Sequence, residues 1–273
     1  PSNEYFIFDL LGDIYSLPLS GGRAERITSG MAFDSQPVIS PSGEKVAFIS
    51  DRNGKNNLWI ADVDGSNPIR LSDETYTRIL SPAWTTDSNY VMVTERGKEI
   101  ELKQYHVEGG SGTTVSQADD DNSNPPGVGA AFSPDGNTVY FAEKLGSPDA
   151  PTEDFPVTQI VRLNLNDGSR LQVTRGEGGA VRPKISPDGK LLIYGTRYQT
   201  QTGLRVRDLE SGEDRRLSYP IQRDAQENFR PSSRGMLPDY AITADSEFVI
   251  LSTGGQFQRI DIASGARTEI PFT

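Results

Sequence analysis

Short runs of apolar residues alternating with polar ones recur along the whole chain, and each run follows a tight turn. The run Leu191–Gly195 follows the turn ISPDG, in which Ser186, Pro187 and Gly189 hold positions one, two and four of a type I turn. A period of two and enrichment in β-branched and aromatic residues predict strands. No segment shows a convincing helical period, so the pattern predicts an all-β protein.

This turn belongs to a repeat that occurs six times. Its proline position is occupied by Pro1, Pro41, Thr86, Pro134, Pro187 and Ala244. These spacings of 40 to 57 residues are typical of propeller blades. Each repeat continues with a third strand, such as NLWIADVDGS, and an outer strand, such as PIRLSD, while a short strand such as QPVIS comes before the turn. The repeats predict a six-bladed β-propeller with four-stranded antiparallel blades and no internal domain boundary.

The blades are expected at about residues 1–30, 31–73, 80–117, 128–175, 181–219 and 239–273 of a single propeller domain. The first repeat starts at PSNEYFIFD, so the first blade lacks its innermost strand. Nothing after PFT at the C-terminus obviously supplies that strand. We expect either a three-stranded first blade or, as we favour, a chain that is a piece of a longer protein.

The repeats resemble the WD40-like repeats of TolB-type propellers, in which SPDGK precedes a strand with SDR and then an LW or IY strand. More narrowly, FDLLGDIYSLPLSGG, SDRNGKNNLWIADVDGSNP, YGTRYQTQTGLRVRDLESGE and IDIASGARTEIPF resemble the N-terminal propeller of certain exported bacterial amidohydrolase-related proteins. This resemblance implies a periplasmic or extracellular accessory domain, with catalysis in a domain outside this chain. The alternative is a TolB-like periplasmic interaction module, whose α/β domain would lie upstream.

Composition excludes several functions. The chain has 27 basic and 38 acidic residues and a net charge of −11, which disfavours nucleic-acid binding. It has no cysteine, and therefore no disulfide or thiolate zinc site. No apolar run approaches the roughly 18 residues that span a membrane. The expected partner is a protein, or further domains of the same full-length chain, with no nucleic acid and no membrane insertion.

The candidate catalytic groups are few. The single histidine, His106, lies beside a tight turn in a position held elsewhere by Asp62 or Asp208, so it is predicted to cap the turn. A Ser-His-Asp triad or a histidine-rich metal centre is therefore excluded, and no catalytic residue is assigned. We expect a non-catalytic binding or substrate-gating module and no cofactor. Two alternatives stay open: a self-contained hydrolase or lyase acting through carboxylates and arginines, and a Ca²⁺ site at Asp119 and Asp121, although that run lacks the EF-hand glycine.

Loop lengths differ between the two faces of the predicted propeller. The long connections, Ser116–Gly129, Glu143–Thr158 and Ser218–Tyr240, all lie on one face, and insertions concentrate where proteins function. Arginines there could bind carboxylates or phosphates bidentately, whereas the alternative is a solvated surface with ordinary salt bridges. The predicted binding residues of this long-loop face are Asp34, Arg78, Arg182, Arg197, Tyr198, Arg230, Asp239 and Tyr240, with Arg223 beside them.

Overall fold

A computed structural model describes residues 4–73, 78–97, 100–117, 126–144, 158–223 and 237–273. The described strands form six sheets, and every pair of neighbouring strands is antiparallel. Contacts between Cα atoms divide the chain into two compact units, Pro1–Asp119 with Phe272–Thr273 and Asp120–Pro271.

The first unit contains one three-stranded and two four-stranded sheets. The first sheet consists of β1 (Tyr5–Leu10), β2 (Asp13–Pro18) and β3 (Glu25–Arg26). The second consists of β4 (Asp34–Ile39), β5 (Lys45–Ser50), β6 (Asn57–Asp62) and β7 (Ile69–Arg70). The third consists of β8 (Arg78–Trp84), β9 (Tyr90–Arg96), β10 (Ile100–His106) and β11 (Thr113–Gln117).

The second unit contains three four-stranded sheets. The fourth sheet of the chain consists of β12 (Pro126–Phe132), β13 (Thr138–Lys144), β14 (Thr158–Asn164) and β15 (Arg170–Gln172). The fifth consists of β16 (Val181–Ile185), β17 (Leu191–Tyr198), β18 (Gln201–Asp208) and β19 (Asp214–Arg223). The sixth consists of β20 (Tyr240–Ile242), β21 (Phe248–Thr253), β22 (Gln256–Asp261) and β23 (Arg267–Ile270). The predicted all-β, six-bladed propeller is confirmed, including its three-stranded first blade.

The turn between the first two strands of each four-stranded blade is held by its own side chains. At the fifth sheet, the Gly189 amide donates to the carbonyl of Ser186 at 2.8 Å, as a type I turn requires. The Ser186 hydroxyl donates to Asp188, and the amide of Lys190 donates to the same carboxylate oxygen at 3.1 Å. These bonds use residues local to the turn, so the sequence motif supplies its own hydrogen-bond partners.

Turns of adjacent blades also contact each other, which explains why two repeats replace glycine with serine. The Ser88 hydroxyl accepts a hydrogen bond from the Ser42 amide at 3.2 Å, and the Ser246 hydroxyl accepts one from the Asp188 amide at 3.2 Å. Both serines adopt the left-handed φ that glycine has at the other turns, 60° for Ser88 and 63° for Ser246. The inter-blade hydrogen bond offsets part of that backbone strain.

The core of each unit lies between adjacent sheets. In the first unit, β6, β8, β9 and β10 contribute Leu58, Ile79, Val91 and Tyr105, each at most 1% exposed. Full burial of an aliphatic side chain stabilises the fold by roughly 1.5–3 kcal/mol. The corresponding cluster in the second unit comprises Ile193, Leu204, Val206, Leu217, Ile221, Leu237, Tyr240, Val249, Leu251, Ile260 and Ile262.

The last two residues of the chain pair with the first blade on its outer side. The Thr273 amide donates to the Gly22 carbonyl at 2.9 Å, and the Ala24 amide donates to the Thr273 carbonyl at 3.0 Å. The Phe272 ring meets the Phe8 ring edge-on, with centroids 6.0 Å apart. PFT therefore does not supply the innermost strand of the first blade; it pairs in parallel with the segment that leads into β3.

Candidate functional site

The first strand of four blades carries a β-bulge that the sequence analysis did not anticipate. The pairing of β4, β8, β12 and β16 with the next strand shifts register within each strand. Each bulge contains a residue with φ between 51° and 100°: Gln36, Ser81, Gly129 and Arg182. A proline follows Gln36, Ser81 and Arg182, giving the pairs QP, SP and RP. These pairs are the feature of the sequence that could have indicated the bulges.

Hydrogen bonds connect the bulges of the first unit from blade to blade. The Gln36 amide lies 3.4 Å from Oδ1 of Asp9, which is on β1 of the first blade. The Gln36 side-chain oxygen accepts a hydrogen bond from the Ser81 amide at 2.9 Å, and Ser81 is the bulge residue of the next blade. Gln36 thus joins three successive blades, and its side chain stabilises the bulge of its neighbour.

Asp34, a predicted binding residue, is buried at the start of β4, with 1% exposure. Its Oδ2 accepts a hydrogen bond from the Arg52 guanidinium at 2.6 Å. That guanidinium also lies over the rings of Phe48 and Trp59, 5.1 and 5.5 Å from their centroids. Oδ1 of Asp34 has no hydrogen-bond partner among the described residues. Asp34 therefore anchors Arg52 and does not present its charge to solvent.

Three of the predicted binding residues come together in the second unit. The Arg182 guanidinium lies 3.5 Å from Oδ1 of Asp239, and the Lys184 ammonium lies 3.6 Å from the same oxygen. Arg182 is buried, whereas the Asp239 side chain is half exposed. The Tyr240 hydroxyl is buried, 2.9 Å from the Ile193 carbonyl and within hydrogen-bonding distance of the Arg182 carbonyl. The group links the bulge of the fifth blade to the first strand of the sixth.

Burial and neighbouring charges determine whether Asp239 and Tyr240 are ionised. Partial removal from water raises the pKa of Asp239, but the charges of Lys184 and Arg182 outweigh that effect and hold the pKa below its usual value. Burial, reinforced by the negative charge of Asp239, raises the pKa of Tyr240 well above its usual value. At neutral pH the site therefore holds an ionised Asp239 beside two cations, and Tyr240 keeps its proton as a donor.

Arg197 and Tyr198 lie at the end of β17 and belong to an exposed cluster of arginine and tyrosine. The Tyr198 ring, half exposed, meets the Tyr219 ring edge-on at 5.5 Å between centroids. The Arg216 guanidinium lies 4.9 Å from the Tyr198 centroid and 5.2 Å from that of Tyr219. Nε of Arg197 donates to the Gln199 carbonyl at 2.9 Å. These side chains form a cationic and aromatic surface at the β17–β18 turn.

The remaining predicted residues lie in the first unit, at the end of a strand or outside the described residues. Arg78 is exposed at the start of β8, in the first unit. Arg223 is the last residue of β19. Arg230, Asp119 and Asp121 lie outside the described residues, so the long-loop arginine and the Ca²⁺ alternative stay predictions.

His106 has the turn-capping role that the sequence predicts. Its Nδ1 accepts a hydrogen bond from the Glu108 amide at 3.1 Å, and its ring meets Tyr90 edge-on at 4.8 Å between centroids. Within the described ranges, no group of three or more His, Asp or Glu side chains is arranged to hold a metal ion. The described part of the chain also contains no helix with the length and apolar character needed to cross a bilayer.

Comparison with known sequences points to one family. The sequence model of the Tricorn protease N-terminal beta propeller domain matches residues 2–147. Tricorn protease homolog 1 of Streptomyces coelicolor is 25% identical over 273 residues, an alignment that covers 97% of this chain but 23% of that relative. The chain thus spans about a quarter of the length of this relative.

Solved structures of other proteins superpose on this chain and support the propeller fold. TolB from Acinetobacter baumannii superposes with a TM-score of 0.62 at 19% identity, covering 83% of this chain and 52% of TolB. The tricorn protease superposes with a TM-score of 0.61 at 10% identity, covering 98% of this chain and 33% of the protease. The TolB-like resemblance is confirmed, while the narrower link to amidohydrolase-related proteins stays a prediction. With more than half of its residues matched by the family model, the chain belongs to the Tricorn protease N-terminal β-propeller domain family.

Proposed function

We propose that this propeller is a non-catalytic binding or substrate-gating module that serves as an accessory domain of a larger hydrolase. One observation carries the proposal: nearly the whole chain, 97%, aligns with only 23% of Tricorn protease homolog 1. A propeller that occupies that share of a protease leaves the remaining length for other domains. Fold alone does not assign activity, because propellers host both enzymes and binding modules.

The proposed ligand is anionic and is bound by the exposed arginine and tyrosine side chains. In the second unit, Arg197 and Tyr198 are the predicted residues that lie at or near the surface, and arginine forks pair with carboxylates in a bidentate manner. Arg78, which is exposed in the first unit, is kept as a proposed binding residue by itself. Arg182 and Tyr240 are buried, so their proposed role is to position the strands of the second unit. The buried Asp34 is proposed to position Arg52 in the first unit. Arg230, which lies outside the described residues, and Asp239 stay proposed binding residues.

The intact mass of the native gene product tests the accessory role. This chain has a mass of 29.9 kDa. A native product two- to fourfold heavier supports an accessory domain, because the additional chain would contain the hydrolase. A native mass near 30 kDa contradicts that role and would make the protein a free-standing propeller.

A binding measurement tests the anion site separately. Titration of the purified chain with citrate, followed by calorimetry or amide chemical shifts, is expected to show saturable binding. Arg197→Ala should weaken it at least several-fold, since removal of a charge-assisted pair lowers affinity. Arg175→Ala, which removes an exposed arginine from another loop, is the matched control. Equal affinity of both variants would contradict the proposed site, and turnover by the chain that Arg197→Ala abolishes would favour the enzyme alternative.

We further propose an exported location and a hydrolase domain of the amidohydrolase-related type. Both rest on sequence resemblance to exported propeller proteins. Fractionation of the native host into periplasm and cytoplasm tests the first, and the sequence of the remaining native chain tests the second. A product confined to the cytoplasm would contradict export.

A further inference from the structure

An exposed apolar surface in the first unit has no role in the proposed anion site. Eight large apolar residues are exposed in the described structure, and four of them lie on two adjoining loops. Leu10 and Leu11, at the β1–β2 turn, are 44% and 94% exposed. Met31 and Phe33, on the β3–β4 connection, are 102% and 55% exposed. These four residues are named the Leu11 patch.

The two loops are fixed against each other, so the patch is a defined surface. A Cβ atom at Gly12 would lie 3.0 Å from the Phe33 ring, which shows that the ring packs directly on the Gly12 backbone. The Asp34 amide donates to the Gly12 carbonyl at 2.8 Å. The Phe33 amide donates to the Asp51 carboxylate at 2.7 Å. Phe33 is therefore held in place at the surface instead of turning inward.

Leu11 has a backbone conformation that disfavours leucine. Its φ is 54°, and such tight turns normally have glycine, asparagine or aspartate at this position. The same turn in the sixth blade has Gly254 and Gly255, with φ of 63° and 80°. A strained leucine that is almost completely exposed gains nothing for the fold from its side chain. This combination is typical of a residue retained for contact with another molecule.

The patch has an acidic rim. Asp9 and Asp13 flank the two leucines, and Asp51 contacts the Phe33 backbone. The Arg26 side chain lies 3.4 Å from Asp13, and the Arg52 guanidinium binds the buried Asp34. Because the buried Asp34 is neutralised by Arg52, the surface groups of this rim are Asp9, Asp13 and Asp51 against Arg26, which is a local excess of negative charge. A complementary ligand would therefore combine apolar side chains with basic ones.

We propose that the Leu11 patch binds a short segment of a separate polypeptide in which bulky apolar side chains are flanked by lysine or arginine. A second copy of this chain fits poorly for two reasons. A stable dimer needs roughly 800 Å² from each partner, and two chains that each carry a charge of −11 repel each other. A permanently docked domain needs a similarly large interface. Four side chains on two loops suit a short and reversibly bound segment.

Methionine methyl NMR tests the proposal with defined probes. The chain has three methionines, and the fully buried Met92 provides an internal reference for the exposed Met31. The peptide acetyl-Lys-Leu-Phe-Leu-Lys-amide is expected to shift the Met31 signal saturably and to leave Met92 unchanged. The counterpart with glutamate in place of both lysines should bind at least about tenfold more weakly at low salt, since it faces the same acidic rim.

The variant Leu11→Asn tests whether the Leu11 side chain contributes to peptide binding without contributing to folding. Asparagine tolerates a left-handed φ, so this variant should melt at the same temperature as the wild type or higher, while its peptide affinity falls about tenfold or more. Leu171→Asn, at another exposed leucine in the second unit, is the control and should bind normally.

Three results would overturn the proposal. The first is an unchanged Met31 signal with the basic peptide at millimolar concentration. The second is equal affinity for the lysine and glutamate peptides, or for wild type and Leu11→Asn. The third is self-association of the chain that Leu11→Asn abolishes, which would assign the patch to a second copy. None of these results depends on whether the propeller is an accessory domain.

Discussion

At the scale of single residues, Tyr240 shows how a buried polar group stabilises contact between blades. Its hydroxyl is within hydrogen-bonding distance of the carbonyls of Arg182 and Ile193, which belong to the preceding blade. Burial keeps the pKa of this phenol well above its usual value, so the hydroxyl remains a donor throughout the working pH range. The Tyr240 side chain therefore acts through hydrogen bonding, and its ring fills the core of the second unit.

Replacement of Tyr240 by phenylalanine should destabilise the protein by about 1–3 kcal/mol, because a buried carbonyl loses its donor while the ring stays in place. Denaturant unfolding measures this change. Tyr198→Phe removes a hydroxyl from a half-exposed ring and is the matched control, with an expected change within about 0.5 kcal/mol. Equal losses in the two variants would show that the Tyr240 hydrogen bond contributes little.

At the scale of structural elements, the bulges of β4 and β8 are joined by a hydrogen bond between neighbouring blades. Gln36→Met keeps the length of the side chain but removes the acceptor for the Ser81 amide. We expect a loss of about 1–2 kcal/mol and faster hydrogen exchange at the Ser81 amide, since that amide loses its partner. Gln36→Glu retains an acceptor oxygen and should keep the amide protected. Unchanged exchange in Gln36→Met would argue against this inter-blade hydrogen bond.

The turns between the first two strands of the four-stranded blades predict that the folded protein loses stability at acid pH. In four of these turns the third residue is an aspartate whose pKa is lowered. The hydroxyl of the first turn residue is the main cause, and backbone amides add to it. The four aspartates are Asp87, Asp135, Asp188 and Asp245. Because the pKa is lower in the folded state, the ionised carboxylate stabilises the fold above the unfolded pKa of about 3.9. That contribution is lost as the pH falls through the lower folded values.

We therefore expect the denaturant midpoint to fall as the pH is lowered below about 4. Asp188→Asn retains an acceptor oxygen but cannot ionise, so it should be less stable than the wild type at pH 7. The difference between the two proteins should shrink toward pH 2. A difference that is constant across this range would show that the charge of Asp188 does not stabilise the turn.

At the scale of the whole molecule, the two ends of the chain contribute to one compact unit. Deletion of residues 272–273 removes two backbone hydrogen bonds and the ring that meets Phe8. We expect a loss of about 1–3 kcal/mol and reduced hydrogen-exchange protection of the Ala24 amide, because its acceptor is the Thr273 carbonyl. Thr273→Ala leaves the backbone intact and should behave like the wild type. Full protection of Ala24 after the deletion would contradict this role of the C-terminus.

The candidate site was less predictable than the fold. Loop length and charge pointed to Arg182, Asp239 and Tyr240, and the structure does bring these three together. The burial of Arg182 and Tyr240 was not predicted, because charged and polar residues in a sequence are ordinarily assigned to the surface. Gln36 and Ser81 were missed because their conformation follows from a register shift, for which a following proline is only a weak signal.

The sequence by itself determined the blade count, the strand order, the turn chemistry and the three-stranded first blade. The reason is that these features depend on local periodicity and on side chains that bond within their own turn, as Ser186 and Asp188 do. Only the tertiary structure decided that Asp34 is buried against Arg52, that Phe272 packs beside Phe8, and that Phe33 joins the two leucines at an exposed surface. These contacts join residues of different blades or loops, and their geometry depends on how the sheets pack, which no short stretch of sequence encodes.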